Sequence, residues 1–176
     1  MYSSAAKPAA EAACADHRAQ GPKLIVFSGL MGSGKSTSAR ELKQQLKSAW
    51  LIARDQFRDS VLGGADVLGN QEATITQAML VLAKLALSLG HDVIIDDLNL
   101  FPEDKERWFT LARRMGIDIE WRTMTTPVEE CIRRDSLRPA PVGRGVIEAY
   151  ARAADLLPEE ASEEYSTRPE DEYASG

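Results

Sequence analysis

The sequence predicts an α/β fold, a parallel sheet of four to five strands flanked by helices. Three features predict it. Short apolar runs alternate with longer stretches of helical period, an order that favours parallel pairing through helical crossovers. The first run, KLIVFSG, ends in a glycine-rich turn that opens a helical pattern. No apolar run approaches the roughly eighteen residues needed to cross a bilayer, so the apolar segments belong to a packed core and no membrane association is expected.

The elements follow in order. KLIVFSG suits a buried strand, and Gly34 to about Lys47 a helix. WLIA is a second strand and RDQFRDSVL a short helix directly after it. GGADVLGN is a loop, and Gln71 to Leu89 a long helix closed by Gly90. DVIIDD is a third strand, and PEDKERWFTLARRM a helix opened by Pro102. IDIEWRTM alternates as a fourth strand. Pro127 opens a helix to about Ser136, LRPAPVGRG is a flexible loop carrying arginines, and a last helix covers about Val146 to Leu157.

Composition divides the chain in three. Residues 1–21 form an Ala-rich polar arm without the apolar stretch of a secretory signal. Residues 22–157 carry the periodic pattern of one domain. Residues 158–176 form an acidic tail that is expected to be disordered. The net charge of −6 resides in that tail, which holds seven acids and one arginine; residues 21–157 balance 18 acids with 18 bases. A neutral domain still admits a nucleic-acid partner through a local patch, and Arg133 to Arg152 sets five arginines against two acids. Cys14 and Cys131 make no metal-ligand pattern, and with Cys14 in the arm a reducing cytoplasm is the expected setting.

GLMGSGKS, Gly29 to Ser36, fits G-x-x-x-x-G-K-[ST] at every required position and stands between a strand and a helix. Gly29, Gly32, Ser33 and Gly34 can shape backbone N–H groups around a phosphate at a helix N-terminus. Lys35 can reach the β- and γ-phosphates of ATP, the Ser36 hydroxyl can ligate Mg²⁺, and Thr37 adds a further hydroxyl. The motif predicts a P-loop NTPase fold. An N-K-x-D guanine motif is absent. A ring-forming ATPase usually adds a second helical domain, for which residues 22–157 leave no room. The third strand ends in Asp96-Asp97 rather than Asp-Glu, so the glutamate that commonly polarises water is missing and transfer to another acceptor is favoured.

Asp55 follows the WLIA strand directly, which puts it at the ligand-binding edge of the sheet. There a carboxylate can take the proton of an acceptor hydroxyl. Arg54 and Arg58 flank it and favour its ionised form, and Arg58, three residues on, can face an acceptor's anion. On residue types alone, an N-cap aspartate with an i,i+3 salt bridge stands level with the catalytic base.

Together GSGKSTSARE, ARDQFR, VIIDDLNL and CIRRDSLR resemble, in the same order, the kinase domain of phage and bacterial 5′-hydroxyl polynucleotide kinases, over about Lys23 to Tyr150. The resemblance implies a P-loop kinase with a helical, arginine-bearing lid, using ATP and Mg²⁺ on a nucleic acid in the cytosol of a bacterium or phage-infected host. It implies Asp55 as general base and Arg54, Arg58, Asp97 and Asn99 on the acceptor side. Asp97 is also offered to Mg²⁺ beside Ser36. On the lid it implies Arg134 for the nucleotide and Arg138 for the transferring phosphoryl group. At i,i+4 the two arginines share a face if their helix reaches that far. Asp96 would alternate to the other side of its strand. The alternatives are a kinase acting on a hydroxymethylated base in DNA, a nucleoside or another small hydroxyl, and, in a different class, a nucleotide-binding switch or adaptor. Protein partners and a homo-oligomeric state stay open. The segment PAPVGRGVIEAY departs from the family's lid passage, and GGADVLGN carries no basic or aromatic cluster for a single strand.

Overall fold

The computed structural model describes residues 21–62 and 69–157. The expectations for the arm up to residue 20, for most of the GGADVLGN loop and for the acidic tail lie outside the described residues. Four strands, β1 (Lys23–Ser28), β2 (Trp50–Ala53), β3 (Val93–Asp96) and β4 (Asp118–Thr123), pair in parallel in the order β2-β3-β1-β4. Six helices join them: α1 (Lys35–Gln45), α2 (Arg54–Leu62), α3 (Gly69–Ser88), α4 (Pro102–Met115), α5 (Val128–Asp135) and α6 (Arg144–Ala153).

Each central strand is apolar on both faces because both faces are covered. From β1, Leu24 and Val26 join Ile52, Val93 and Ile95 against α3 (Ile75, Met79, Ala83) and α4 (Trp108, Ala112). The alternate residues Ile25 and Phe27 join Ile94 against Ala39 and Leu42 of α1. A third cluster, Leu30, Cys131, Ile132, Ile147 and Ala151, packs α5 and α6 onto the turn after β1.

The strand order fixes where a ligand crevice can open. The chain leaves β1 toward β2 and leaves β3 toward β4, so the loops after β1 and β3 part company at the C-terminal edge of the sheet. They are nevertheless stitched at their roots: Gly29 N–H donates to Leu98 O (2.9 Å), and the Ser28 hydroxyl to Asn99 O (2.9 Å). In register, Ala53, Asp96 and Phe27 stand side by side at this edge, and the chemistry-bearing residues follow them.

Candidate active site

The turn after β1 forms a nest. Gly29, Gly32 and Gly34 have φ of 148°, 79° and 97°, and Gly34 is the N-cap of α1. No side chain caps that helix and its first turn holds no acid, so its N-terminal dipole is left for an anion. Gly32 is required by space as well as by φ, since a methyl there would stand 2.2 Å from the Cys131 carbonyl oxygen of α5. Thr126 clamps the other side by donating its hydroxyl to Ser33 O at 2.9 Å. These features fit the phosphates of a nucleotide.

Lys35 lies inside the nest. Its ammonium donates to the Gly29 and Leu30 carbonyls at 2.8 and 2.7 Å. Burial lowers its pKa, opposed by the charges of Asp96, Asp97 and Asp55. A cavity of about 670 Å³ opens above it, lined by Gly32, Gly34, Lys35, Ser36 and Thr37 from the nest, Arg54, Asp55 and Arg58 from α2, Asp96 and Asp97 after β3, and Arg138. Val142, Val146 and Tyr150, four residues apart, add a part-exposed apolar wall from the α6 side. Three expected elements of a transfer site thus share one space: the phosphate nest, Asp55 and a lid arginine.

The structure places several of the expected site residues differently from the sequence reading. Asp96, not Asp97, is the carboxylate at the nest: it takes a hydrogen bond from Ser36 and feels the charge of Lys35. Its pKa is raised, chiefly by burial. β3 ends at Asp96, so strand alternation no longer governs the pair, and both aspartates line the cavity. The Asp97 carboxylate accepts from Arg54 Nε (2.8 Å) and from the Leu98 N–H (2.8 Å). Burial raises its pKa, offset by Arg54. As oxygen donors for Mg²⁺, which keeps waters and phosphate oxygens and needs only one or two protein groups, Ser36 and Asp96 fit.

Asn99 faces the core and does not line the cavity. It is 1% exposed, donates to Phe27 O (2.8 Å) and accepts from Trp108 Nε1 (2.9 Å), with φ of 46° turning it inward. Arg54 is likewise spent internally, on Asp97, Glu72 (2.9 Å) and Thr76 (2.9 Å). Arg58 pairs with Asp55 at 2.8 Å, the i,i+3 bridge, and also with Glu72. Asp55 is therefore both a salt-bridged first-turn residue and a cavity wall.

On the lid, α5 stops at Asp135, so Arg134 and Arg138 do not share a helical face. Arg134 stands beside the nest, with Nη1 3.6 Å from where a Gly34 methyl would be, and bonds Glu130 at 2.6 Å. Arg138 lies in the turn beyond and reaches the cavity. Ser33 and Gly29 do not line the cavity. The Ser33 hydroxyl is buried without a hydrogen-bond partner, and the role of Gly29 is its close approach to Met124. Arg144 bridges Glu129 and Glu148. Residues missed from sequence are Arg40, Met31 and the Val142–Val146–Tyr150 wall; of these, only the four-residue spacing of the wall was a visible signal.

Known proteins resemble this chain over its folded part. A family model described as an AAA domain matches residues 24–157. The adenylyl-sulfate kinases of Shewanella pealeana and Pseudomonas aeruginosa are 31% and 33% identical over 125 residues, 69% and 66% of this chain and 60% of each kinase. The bifunctional enzyme NodQ of Rhizobium meliloti is 29% identical over 120 residues, and there the chain spans 18% of the relative. Among solved structures, a chain of the Pnkp1/Rnl/Hen1 RNA repair complex matches with a TM-score of 0.69 at 26% identity, over 78% of this chain and 45% of that one. The Mycobacterium tuberculosis APS kinase CysC with AMPPNP and APS matches with a TM-score of 0.58 at 26% identity, over 78% and 77%. Among the described residues no helix is long and apolar enough to cross a membrane. The chain belongs to the AAA-domain family of P-loop proteins and carries the P-loop kinase fold.

Proposed function

We propose that this chain is a kinase that moves the γ-phosphate of ATP to the 5′-hydroxyl of a polynucleotide. One observation carries the reading. Asp55 lines the same cavity as Lys35 and Ser36, near enough for its charge to be felt at both Lys35 and Asp96. A base and a phosphate nest lining one cavity are what in-line transfer to an alcohol requires. Likeness to a chain of an RNA repair complex supports the polynucleotide, and the apolar wall of Val142, Val146 and Tyr150 offers a face for a nucleobase.

The chemistry follows from the residues. Asp55 accepts the proton of the incoming hydroxyl as its oxygen bonds the γ-phosphorus. The bond from that phosphorus to the β-bridging oxygen breaks, and ADP leaves. Lys35 and Arg138 bring positive charge to the cavity in which the phosphoryl oxygens gather negative charge. Ser36 and Asp96 would hold Mg²⁺, which when bound would supply positive charge against the phosphates.

A second reading, transfer to a nucleotide-sized anion, is favoured by the identity to adenylyl-sulfate kinases. A single assay separates these: γ-labelled ATP offered in parallel to a 5′-hydroxyl oligonucleotide, adenylyl sulfate, a duplex containing hydroxymethyluracil, and a nucleoside mixture. Label at the oligonucleotide end is expected. Label confined to any other acceptor replaces this reading with that one, and ATP binding without transfer would mean a switch or adaptor.

A further inference from the structure

The acceptor side of the cavity holds more negative charge than its proposed task explains. Arg58 is the cation that faces an acceptor's anion, yet Glu72 already occupies it. Glu72 Oε1 accepts from Arg58 Nε (3.0 Å) and Nη2 (2.8 Å), the paired edge on which a guanidinium binds phosphate or carboxylate. The third nitrogen, Nη1, donates to Asp55 at 2.8 Å. Glu72 Oε2 meanwhile accepts from Arg54 Nη1 at 2.9 Å. Arg54 is itself anchored by Asp97 and Thr76, and its side chain is 16% exposed. One carboxylate thus spans two guanidiniums, one fixed and one facing the cavity. Two arginines meet three carboxylates (Asp55, Glu72, Asp97), leaving this half of the site with a formal charge of −1.

We infer that Glu72 is a specificity-determining residue: its carboxylate stands on Arg58 in place of the acceptor's anion and sets how much negative charge an acceptor must bring to engage it. The inference rests on Arg58 serving the acceptor in the proposed reaction. A single phosphate gains little by exchanging with a carboxylate that is already tied to a second arginine. A strand with several phosphates finds a further cation at the cavity, Arg40, and can make the exchange. Glu72 is a positioning and selecting group; it touches no reacting atom.

The test compares wild type with Glu72→Gln, which removes the charge and keeps one of the two oxygen acceptors, its amide NH₂ taking the place of the other, and with Glu72→Asp, which restores the charge on a shorter arm. Calorimetry measures the binding of a nucleoside 3′-monophosphate and of a short 5′-hydroxyl oligonucleotide, so no turnover is needed. Wild type should prefer the oligonucleotide strongly. Glu72→Gln should bind the monophosphate about tenfold more tightly, the effect of one nearby charge partly screened by water, and should narrow that preference. Glu72→Asp should return toward wild type. Unchanged or weaker monophosphate binding in a Gln variant that melts normally would overturn the inference. Equal affinity of the wild type for the two probes would overturn it without any variant. If labelled ATP transfers to no polynucleotide while Glu72→Gln still gains phosphate affinity, the proposed reaction fails and the role of Glu72 stands.

Discussion

Replacing Gly32 by alanine tests whether the lid helix really seats on the phosphate nest. The added methyl would lie 2.2 Å from the Cys131 carbonyl oxygen and 2.9 Å from its carbon. Carbon–oxygen contacts close at about 3.3 Å, so α5 must retreat by ~1 Å or the nest must deform. Neither contact atom is the end of a flexible side chain; both are backbone. Overpacking of this kind costs about 1–3 kcal/mol. The left-handed φ of 79° adds the strain of a side chain in that region, about 1–2 kcal/mol. Together the variant should lose about 2–5 kcal/mol, and at ~2–4 °C per kcal/mol in a chain of this size the melting temperature should fall by about 10 °C. Gly116→Ala is the control. Its φ of 63° carries similar backbone strain, but nothing lies within 4 Å of the new methyl. Differential scanning calorimetry on both, with ATP titrations on each, separates the two costs. Gly32→Ala should melt several degrees below Gly116→Ala and bind ATP more weakly; Gly116→Ala should bind it normally. If the two variants melt together, the contact between α5 and the nest is not the tight one described, and the argument that a glycine is needed there for space is wrong.

The other expectations are shorter to state. Asp55→Asn should keep ATP binding and lose transfer by orders of magnitude in single-turnover assays; near-normal transfer would reduce Asp55 to a partner of Arg58. Arg138→Ala should lower kcat more than it raises the KM for ATP, and an equal loss in both would argue against a role in the transition state. Asn99→Ala strands the Phe27 carbonyl and the Trp108 indole N–H in the core, so it should cost about 2–5 kcal/mol in denaturant titrations while leaving the acceptor KM of the folded fraction unchanged. Asp96→Asn tests the buried carboxyl. Its raised pKa means that the folded state holds this proton more tightly than the unfolded state does, so its stabilising contribution is full below about pH 4 and is lost as pH rises through the raised value. The melting temperature of the variant relative to the parent, without ligand, should therefore increase from about pH 4 to pH 7, while Mg²⁺-dependent ATP binding falls. A difference that stays flat with pH would mean that Asp96 is not desolvated.

What could be read from the chain was local. The strand KLIVFS, the nest GLMGSGKS and the placement of Asp55 follow from residues within one element of each other, and the structure keeps all three together. What could not be read depended on where an element stops or on a partner far along the chain. Alternation placed Asp97 on the functional side only if β3 continued through it, and β3 stops at Asp96. The i,i+4 reading of Arg134 and Arg138 needed a helix one turn longer than α5. Asp135 ends it by accepting the Gly143 N–H at 2.9 Å, which folds the lid passage back. Asn99 belongs to a motif that points to substrate, yet its partners are Phe27 and Trp108, and its positive φ decides between the two. Glu72 belongs to no motif at all; it lies 14 residues from Arg58 and 18 from Arg54, and only the packing of α3 against α2 brings it there.

These partnerships give the cavity a division of charge that has a chemical use. Under the proposed reaction, Lys35 and Arg138, with the uncapped end of α1, make the donor side attractive to a triphosphate. On the acceptor side every arginine is matched, and Asp55 shares its guanidinium with Glu72. A carboxylate with both oxygens held by its own arginine would have none free to meet an incoming hydroxyl. Glu72 draws Arg58 toward α3 with two of its three nitrogens, leaving one hydrogen bond on one oxygen of Asp55. Asp55, with its side chain 83% exposed, thereby keeps its second oxygen clear of Arg58 and open to the cavity.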